Sequence, residues 1–316
     1  MAVLGAVVAA VAVAVLVGVP SHRRPNAERR RPEAQGQAVD PALFSTGACL
    51  SFPPTAGNRH ETVFLDAGHG GIDPGAIGTT AAGRTIYEAD ETLPVELATM
   101  KLLRARGFGV VASRTRASSV VRLTPADVVD GVLTEKGAHD DVAARDICAN
   151  LARASLLVGI YFDSGTSPQN AGSVTAYDAA RPFWRRSLRL ATLVQHDVLS
   201  AMDAQHWAIP DEGVLTDSGL GSAVPTAPGT GGPLAADAER YGHLLLLGPS
   251  MPGYFSAPSQ MPGAVVEPLF ITDPFEGSIA ASTKGQDVIA AGIARAAEQY
   301  FAPPSAPPAA RVPDVR

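Results

Sequence analysis

An apolar run that ends in a glycine-rich turn constrains the fold of this chain more than any other feature. Residues 63–65 are Val, Phe and Leu, and the stretch that follows contains His69 between glycines. A short apolar run with such a boundary predicts a buried strand that delivers His69 into a loop. The glycines leave room for a ligand near the ring, and an imidazole in that position suits metal ligation or proton transfer.

Strand-like and helix-like segments alternate along the rest of the chain. Further strands are predicted at residues 110–114, 156–162, 173–177, 243–247 and 264–270, and helices near 93–103, 141–154, 190–202 and 284–301. Pro94 is tolerated only in the first turn of its helix. Residues 205–240 are rich in Gly, Pro, Thr and Ala, which indicates a long surface insertion. The alternation predicts an α/β fold, a three-layer sandwich with a mostly parallel twisted sheet of about six strands flanked by helices.

The ends of the chain differ in composition from its body. Residues 2–19 are apolar, uncharged and about long enough to cross a bilayer, so we predict a signal or membrane anchor over 1–20. Arginines between residues 23 and 31 conflict with export under the positive-inside rule, but the apolar run outweighs them and we expect a protein of the cell envelope, membrane-anchored or secreted. We predict a disordered linker over 21–60, one domain over 61–302 and a disordered tail over 303–316.

The net charge bears on the binding partners of the chain, and the cysteine content bears on whether it has a disulfide. The net charge is −6 and the basic residues form no stripe, so we expect no nucleic acid partner, and we expect a monomer. Cys49 and Cys148 are the only two cysteines. Either they form one bridge outside the cell, or Cys148 is a small buried residue on the inner face of a helix.

The glycine-rich motif resembles that of the family 3 N-acetylmuramoyl-L-alanine amidases, which are zinc-dependent peptidoglycan hydrolases. The resemblance extends from about Thr62 to Phe301, with Ala67 where proline is usual. The residues that match the family's first motif are Asp66, Gly68, His69, Gly70, Gly71, Asp73, Pro74, Gly75 and Ala76. The resemblance implies Zn²⁺ as cofactor, peptidoglycan as partner, and cleavage of the amide between N-acetylmuramic acid and L-alanine.

The same resemblance implies a set of metal ligands. His69 matches the first ligand and Glu88 the second, with Glu91 as the alternative one helical turn later. The third ligand departs from the pattern, because Tyr161 stands where the family has histidine. Asp163 lies two residues further along the strand and points to the same side, so we expect it to be the third ligand. His243 is a weaker substitute.

Glu267 matches the catalytic base of the family. It follows Val265 and Val266 in an apolar run, where a carboxylate is costly unless it has a partner or a task. Hydrolysis would require Glu267 to accept a proton from water and return it to the leaving nitrogen. The alternative is a degenerate amidase domain that binds peptidoglycan or regulates wall synthesis, because Tyr161 replaces a ligand.

Overall fold

Short apolar runs form the strands, and most of these strands join one mixed sheet. The computed structural model describes residues 36–219 and 233–303, which belong to one compact unit. The strands are β1 (Gln37–Ala38), β2 (Ala48–Phe52), β3 (Thr62–Ala67), β4 (Ile77–Thr79), β5 (Thr85–Tyr87), β6 (Gly109–Arg114), β7 (Val128–Val129), β8 (Val132–Leu133), β9 (Leu156–Ile160), β10 (Ser173–Tyr177), β11 (Asp211–Thr216) and β12 (Gly263–Glu267).

The main sheet has eight strands in the order β1-β2-β6-β3-β9-β12-β10-β11. Its central strands β6, β3, β9 and β12 run parallel. At one edge β10 is antiparallel to β12 and parallel to β11, and at the other β2 is antiparallel to both β6 and β1. The predicted α/β class and mostly parallel sheet are confirmed, and the edges add strands to the predicted six. The pairs β4–β5 and β7–β8 form separate hairpins.

Helices cover both faces of the sheet. They are α1 (Glu88–Ala105), α2 (Glu135–Leu151), α3 (Trp184–Asp203), α4 (Pro233–Tyr241), α5 (Pro274–Ala280) and α6 (Thr283–Phe301). Val63 and Leu65 of β3 join a core formed with α1, α3 and α6, whereas Phe64 joins a second core with α2. Successive strand residues face opposite sides of a sheet, so this division produces the predicted three layers.

A disulfide ties the edge of the sheet to the helix above it. Cys49 in β2 and Cys148 in α2 are bonded to each other and fully buried. Of the alternatives that the sequence left open, the structure has the bridge. Because structural disulfides persist in oxidising compartments, this bond favours a location outside the cytoplasm.

Three local predictions are wrong. The predicted linker contains β2, which pairs with β6 and carries the disulfide. The local residue pattern does not predict this strand, because its contacts are with distant segments. The predicted insertion contains β11, which pairs with β10. Residues 243–247 are not a strand, because the amides of Leu247 and Gly248 turn back to the carbonyl of Leu244. Three of the four leucines there, Leu245, Leu246 and Leu247, are nevertheless buried.

The first helix also differs from its prediction. Pro94 lies beyond the first turn of α1, since the helix begins at Glu88 directly after β5. Among the described helices none is long and apolar enough to cross a bilayer. The predicted anchor over residues 1–20 and nearly all of the predicted tail lie outside the described residues.

Candidate active site

His69 occupies a strained turn at the carboxyl end of β3. Its φ of 58° lies in the left-handed region, and Gly70 follows with φ of 127°. Two buried arginines hold this backbone: Arg145 donates to the carbonyls of Ala67 and His69 at 2.8 Å each, and Arg114 donates to the carbonyl of Gly68 at 3.1 Å. A non-glycine residue in this conformation persists only where its surroundings determine it, which is typical of functional sites.

Both ring nitrogens of His69 contact carboxylates. Nδ1 lies 2.8 Å from Asp73 and Nε2 lies 3.0 Å from Glu88. Burial alone would lower the pKa of His69, but the charge of Glu88 and the hydrogen bonds to Asp73 and Glu88 outweigh it and raise the pKa to about 10. In the metal-free protein the ring is therefore an imidazolium clamped between two carboxylates.

Glu88 is fixed as firmly as the histidine. It is the first residue of α1, where a carboxylate complements the helix dipole. Its Oε2 accepts from the amide of Ala76 at 2.9 Å and its Oε1 from the amide of Phe162 at 3.0 Å. A Cβ added to Gly75 would lie 2.7 Å from Glu88 Oε2, so only glycine allows this close approach. Glu91, the alternative ligand, instead accepts from Gln286 of α6 at 2.9 Å.

Asp163 and Glu267 form a second pair in the same cavity. Glu267 ends β12, Asp163 follows β9, and their carboxyl groups are hydrogen-bonded to each other. Burial raises the pKa of Glu267 well above its usual range, and the neighbouring Asp163 and Glu88 raise it further. Burial also raises the pKa of Asp163. The carboxyl group of Glu267 therefore holds its proton more tightly than a free glutamate does.

Tyr161 does not replace the missing histidine as a donor. Its hydroxyl donates to Asp66 Oδ2 at 3.1 Å, and its ring stands edge-on to the His69 ring at a centroid distance of 5.5 Å. Burial raises the pKa of the Tyr161 phenol well above its usual range, and Asp66 raises it further. A phenol that stays neutral and donates a hydrogen bond to Asp66 is a poor zinc ligand.

The cavity that holds these groups has a volume of about 440 Å³. Its lining includes His69, Glu88, Asp163 and Glu267, and also the leucines at 244–246. The structure thus brings together the four site residues that the sequence predicts. His243, the weaker substitute, does not line this cavity.

The side chains in the cavity are of the types that bind zinc, but among the described residues no three of them are close enough together to share one ion. The separation of 3.0 Å between His69 Nε2 and Glu88 Oε2 suits two ligands of one ion. Within residues 36–219 and 233–303, however, no third His, Cys, Asp or Glu donor lies within 4.8 Å of both. Asp163, which is hydrogen-bonded to Glu267, is thus not within that distance of both.

The sequence predicts the carboxylates and the imidazole of the site, but not the contacts that hold them in place. Asp73 was part of the motif, and the structure adds that it holds Nδ1 of His69. Arg145 also forms buried ion pairs with Asp66 at 2.5 Å and Asp141 at 2.8 Å. Arg145 matches an arginine of the family's pattern, but its position in the chain does not predict these contacts, because its partners come from distant segments.

Comparison with known proteins agrees with this fold. The sequence profile of the N-acetylmuramoyl-L-alanine amidases matches residues 63–299. The uncharacterized protein YqiI of Bacillus subtilis is 27% identical over 168 residues, which cover 52% of this chain and 68% of that protein.

Two solved structures share the fold. The amidase AmiC2 of Nostoc punctiforme has a TM-score of 0.51 at 22% identity, over 77% of this chain and 98% of that one. The CwlD amidase of Clostridioides difficile, solved in complex with the GerS lipoprotein, has a TM-score of 0.54 at 18% identity, over 76% of this chain and 98% of that one.

The fold is an α/β sandwich whose cavity lies at the carboxyl ends of the parallel strands β3, β9 and β12. The profile match covers most of the chain, and the protein therefore belongs to the N-acetylmuramoyl-L-alanine amidase family. It is an enzyme of the class that cleaves the amide between the glycan and the stem peptide of the cell wall.

Proposed function

We propose that this protein hydrolyses the amide between N-acetylmuramic acid and L-alanine in peptidoglycan, with Zn²⁺ held by His69, Glu88 and Asp163. The observation that carries the proposal is the convergence of these three side chains and Glu267 on one cavity. A zinc ion bound there would polarise the amide carbonyl and lower the pKa of a water molecule. The remaining chemistry belongs to the protein.

His69 ligates only as a neutral ring, and Asp73 determines which nitrogen is free. Because Asp73 lies 2.8 Å from Nδ1, it keeps the proton on that nitrogen and leaves the lone pair of Nε2 directed at Glu88 and the cavity. Arg145 and Arg114 hold the loop backbone, so the ring of His69 is already in place before a ligand binds.

Glu267 is the group that moves the proton. As a carboxylate it accepts a proton from the attacking water, and as an acid it delivers that proton to the nitrogen of the leaving L-alanine. Its raised pKa keeps the proton on the carboxyl group long enough to be delivered, since burial and Asp163 disfavour the charged form. Ligation of the ion by Asp163 would compete with the hydrogen bond between Asp163 and Glu267.

We also propose that the protein is exported and works in the cell envelope. The substrate lies outside the cytoplasm, and the disulfide between Cys49 and Cys148 requires an oxidising compartment to persist. Residues 2–19 supply an apolar segment of suitable length for a signal or anchor.

A set of glutamate variants tests the site. Glu267→Gln keeps the size of the side chain but removes the base, so release of stem peptides from purified peptidoglycan should fall at least about a hundredfold while zinc binding is retained. Glu88→Gln should weaken zinc binding. Glu91→Gln is the matched control, because Glu91 is buried in the same helix but contacts α6.

The position of Tyr161 favours a second function, that of a domain that binds peptidoglycan without cleaving it. The hydroxyl of Tyr161 is bound to Asp66, so the place of the family's third ligand presents an aromatic ring. A protein that holds no zinc after reconstitution and releases no stem peptide, yet sediments with peptidoglycan, would be a binding domain and would overturn the catalytic proposal.

A further inference from the structure

A second group of metal-ligand side chains lies apart from the cavity, at the carboxyl ends of the edge strands. Asp178 follows β10, Asp217 follows β11, and His243 follows α4. His243 Nδ1 lies 2.9 Å from Asp178 Oδ2 and 3.3 Å from Asp217 Oδ2. The donor atoms of all three residues lie within 4.8 Å of one another, which holds for no other such group in the described part of the chain.

Burial makes this arrangement costly without a cation. The side chains of Asp178 and Asp217 are each only 1% exposed, and they face each other. Burial raises the pKa of Asp217 to about 6, and the charge of Asp178 adds to this, while His243 acts in the opposite direction. Two buried carboxylates that face each other repel, and a cation held between them would offset this repulsion.

One carboxylate oxygen of Asp178 has no hydrogen-bond partner among the described residues. Asp178 Oδ2 makes no well-aligned hydrogen bond, although it lies 2.9 Å from His243 Nδ1. The other oxygen of Asp178 accepts from the amides of Ala180 and Arg181. The guanidinium of Arg181 is directed at the carbonyls of Gly248 and Ser259, so it does not neutralise the pair by direct contact.

We propose that Asp178, Asp217 and His243 bind a divalent cation of the zinc class. One imidazole nitrogen and two carboxylate oxygens are a donor set that zinc accepts, and three protein ligands leave a position for water. The side chain of His243 is 26% exposed, which gives the ion a route from solvent. The proposed ion is separate from the one assigned to His69 and Glu88, and neither proposal requires the other.

The position of the group links it to the cavity wall. Asp217 Oδ2 accepts from the amide of Leu244 at 3.0 Å, and Leu244, Leu245 and Leu246 line the catalytic cavity. An ion bound by His243 and Asp217 would hold both the residue before Leu244 and the carboxylate that accepts from its amide. Its role is therefore to hold the apolar wall against which a substrate is placed.

Metal titration of the full chain tests the proposal. Protein stripped with chelator is titrated with Zn²⁺, and with Co²⁺ to record the absorption spectrum of each site. Both cysteines are in the disulfide, so no thiol competes for the metal. We expect two equivalents for the unaltered chain, one for His69→Ala, one for His243→Gln and none for the double variant.

Controls separate this site from the catalytic one. His196→Gln removes an imidazole that also contacts an aspartate but is 73% exposed, and it should leave two equivalents. Asp217→Asn, with folding checked by circular dichroism, should lose the same equivalent as His243→Gln. If the His69→Ala protein binds no metal, or the His243→Gln protein still binds two equivalents, this proposal is overturned while the catalytic one stands. Loss of all binding in His243→Gln alone would instead remove the metal from the catalytic proposal.

Discussion

The clamp around His69 predicts how stability depends on pH in the metal-free protein. The ring lies between Asp73 and Glu88 at 2.8 and 3.0 Å, and the pKa of His69 rises from 6.5 to about 10. At about 1.4 kcal/mol per pKa unit, this corresponds to about 5 kcal/mol of free energy of unfolding. The folded state holds the proton more tightly, so this contribution is fully present below pH 6.5 and is lost as the pH rises through 10.

Glu88→Gln is the perturbation that tests this reasoning. It removes the charge that contributes most to raising the pKa of His69 and keeps an oxygen that can accept from a backbone amide. The variant should be less stable than the unaltered protein at pH 6, and the difference should shrink towards pH 10. A poorly placed hydrogen bond of the new amide would lower the free energy of unfolding equally at every pH. The dependence of the free energy of unfolding on pH therefore reports the effect of the charge alone.

Urea unfolding at a series of pH values in the presence of chelator measures the slope, and a carbon–proton NMR titration of the imidazole measures the pKa directly. Zinc should abolish the effect, because His69 must lose its proton to bind the metal. A His69 that titrates near 6.5 in the unaltered protein, or equal slopes for the two proteins, would refute the clamp.

Four further predictions follow from individual contacts. Asp163→Ala should lower zinc affinity by about tenfold or more and Tyr161→Phe should leave it nearly unchanged, as measured by competition with a chelating dye; equal effects would contradict Asp163 as ligand. Glu267→Gln should raise the urea midpoint at pH 8 but not at pH 4, since the raised pKa of Glu267 means that stability is lost as the pH rises above its unfolded value, and an unchanged midpoint at pH 8 would argue against a buried acid. Cys148→Ser opens a link between residues 99 apart and should lower the free energy of unfolding by about 4 kcal/mol, with a loss under 1 kcal/mol counting against a structural bridge. A reporter that is active only outside the cytoplasm, fused after Pro41, should give signal, and a silent fusion with a cytoplasmic product would contradict export.

Local patterns were sufficient for the centre of the fold. The strand at residues 62–67, the helix at 283–301 and the alternation between them are visible in the sequence, because buried parallel strands and amphipathic helices leave regular apolar spacing. The edges were not predictable in the same way. β2 and β11 are short, and pairing with β6 and β10 decides their structure.

The site divides along the same line. The sequence by itself determined which chemical groups are present: the imidazole of His69 in its glycine-rich turn, and Glu88, Asp163 and Glu267 near element ends. Only the tertiary structure decided what these groups do to one another. The pairing of Asp163 with Glu267, the clamp of Glu88 and Asp73 on His69, and the group of Asp178, Asp217 and His243 each join residues from separate elements or turns. Distances between side chains depend on how strands and loops pack, and no spacing along the chain records them.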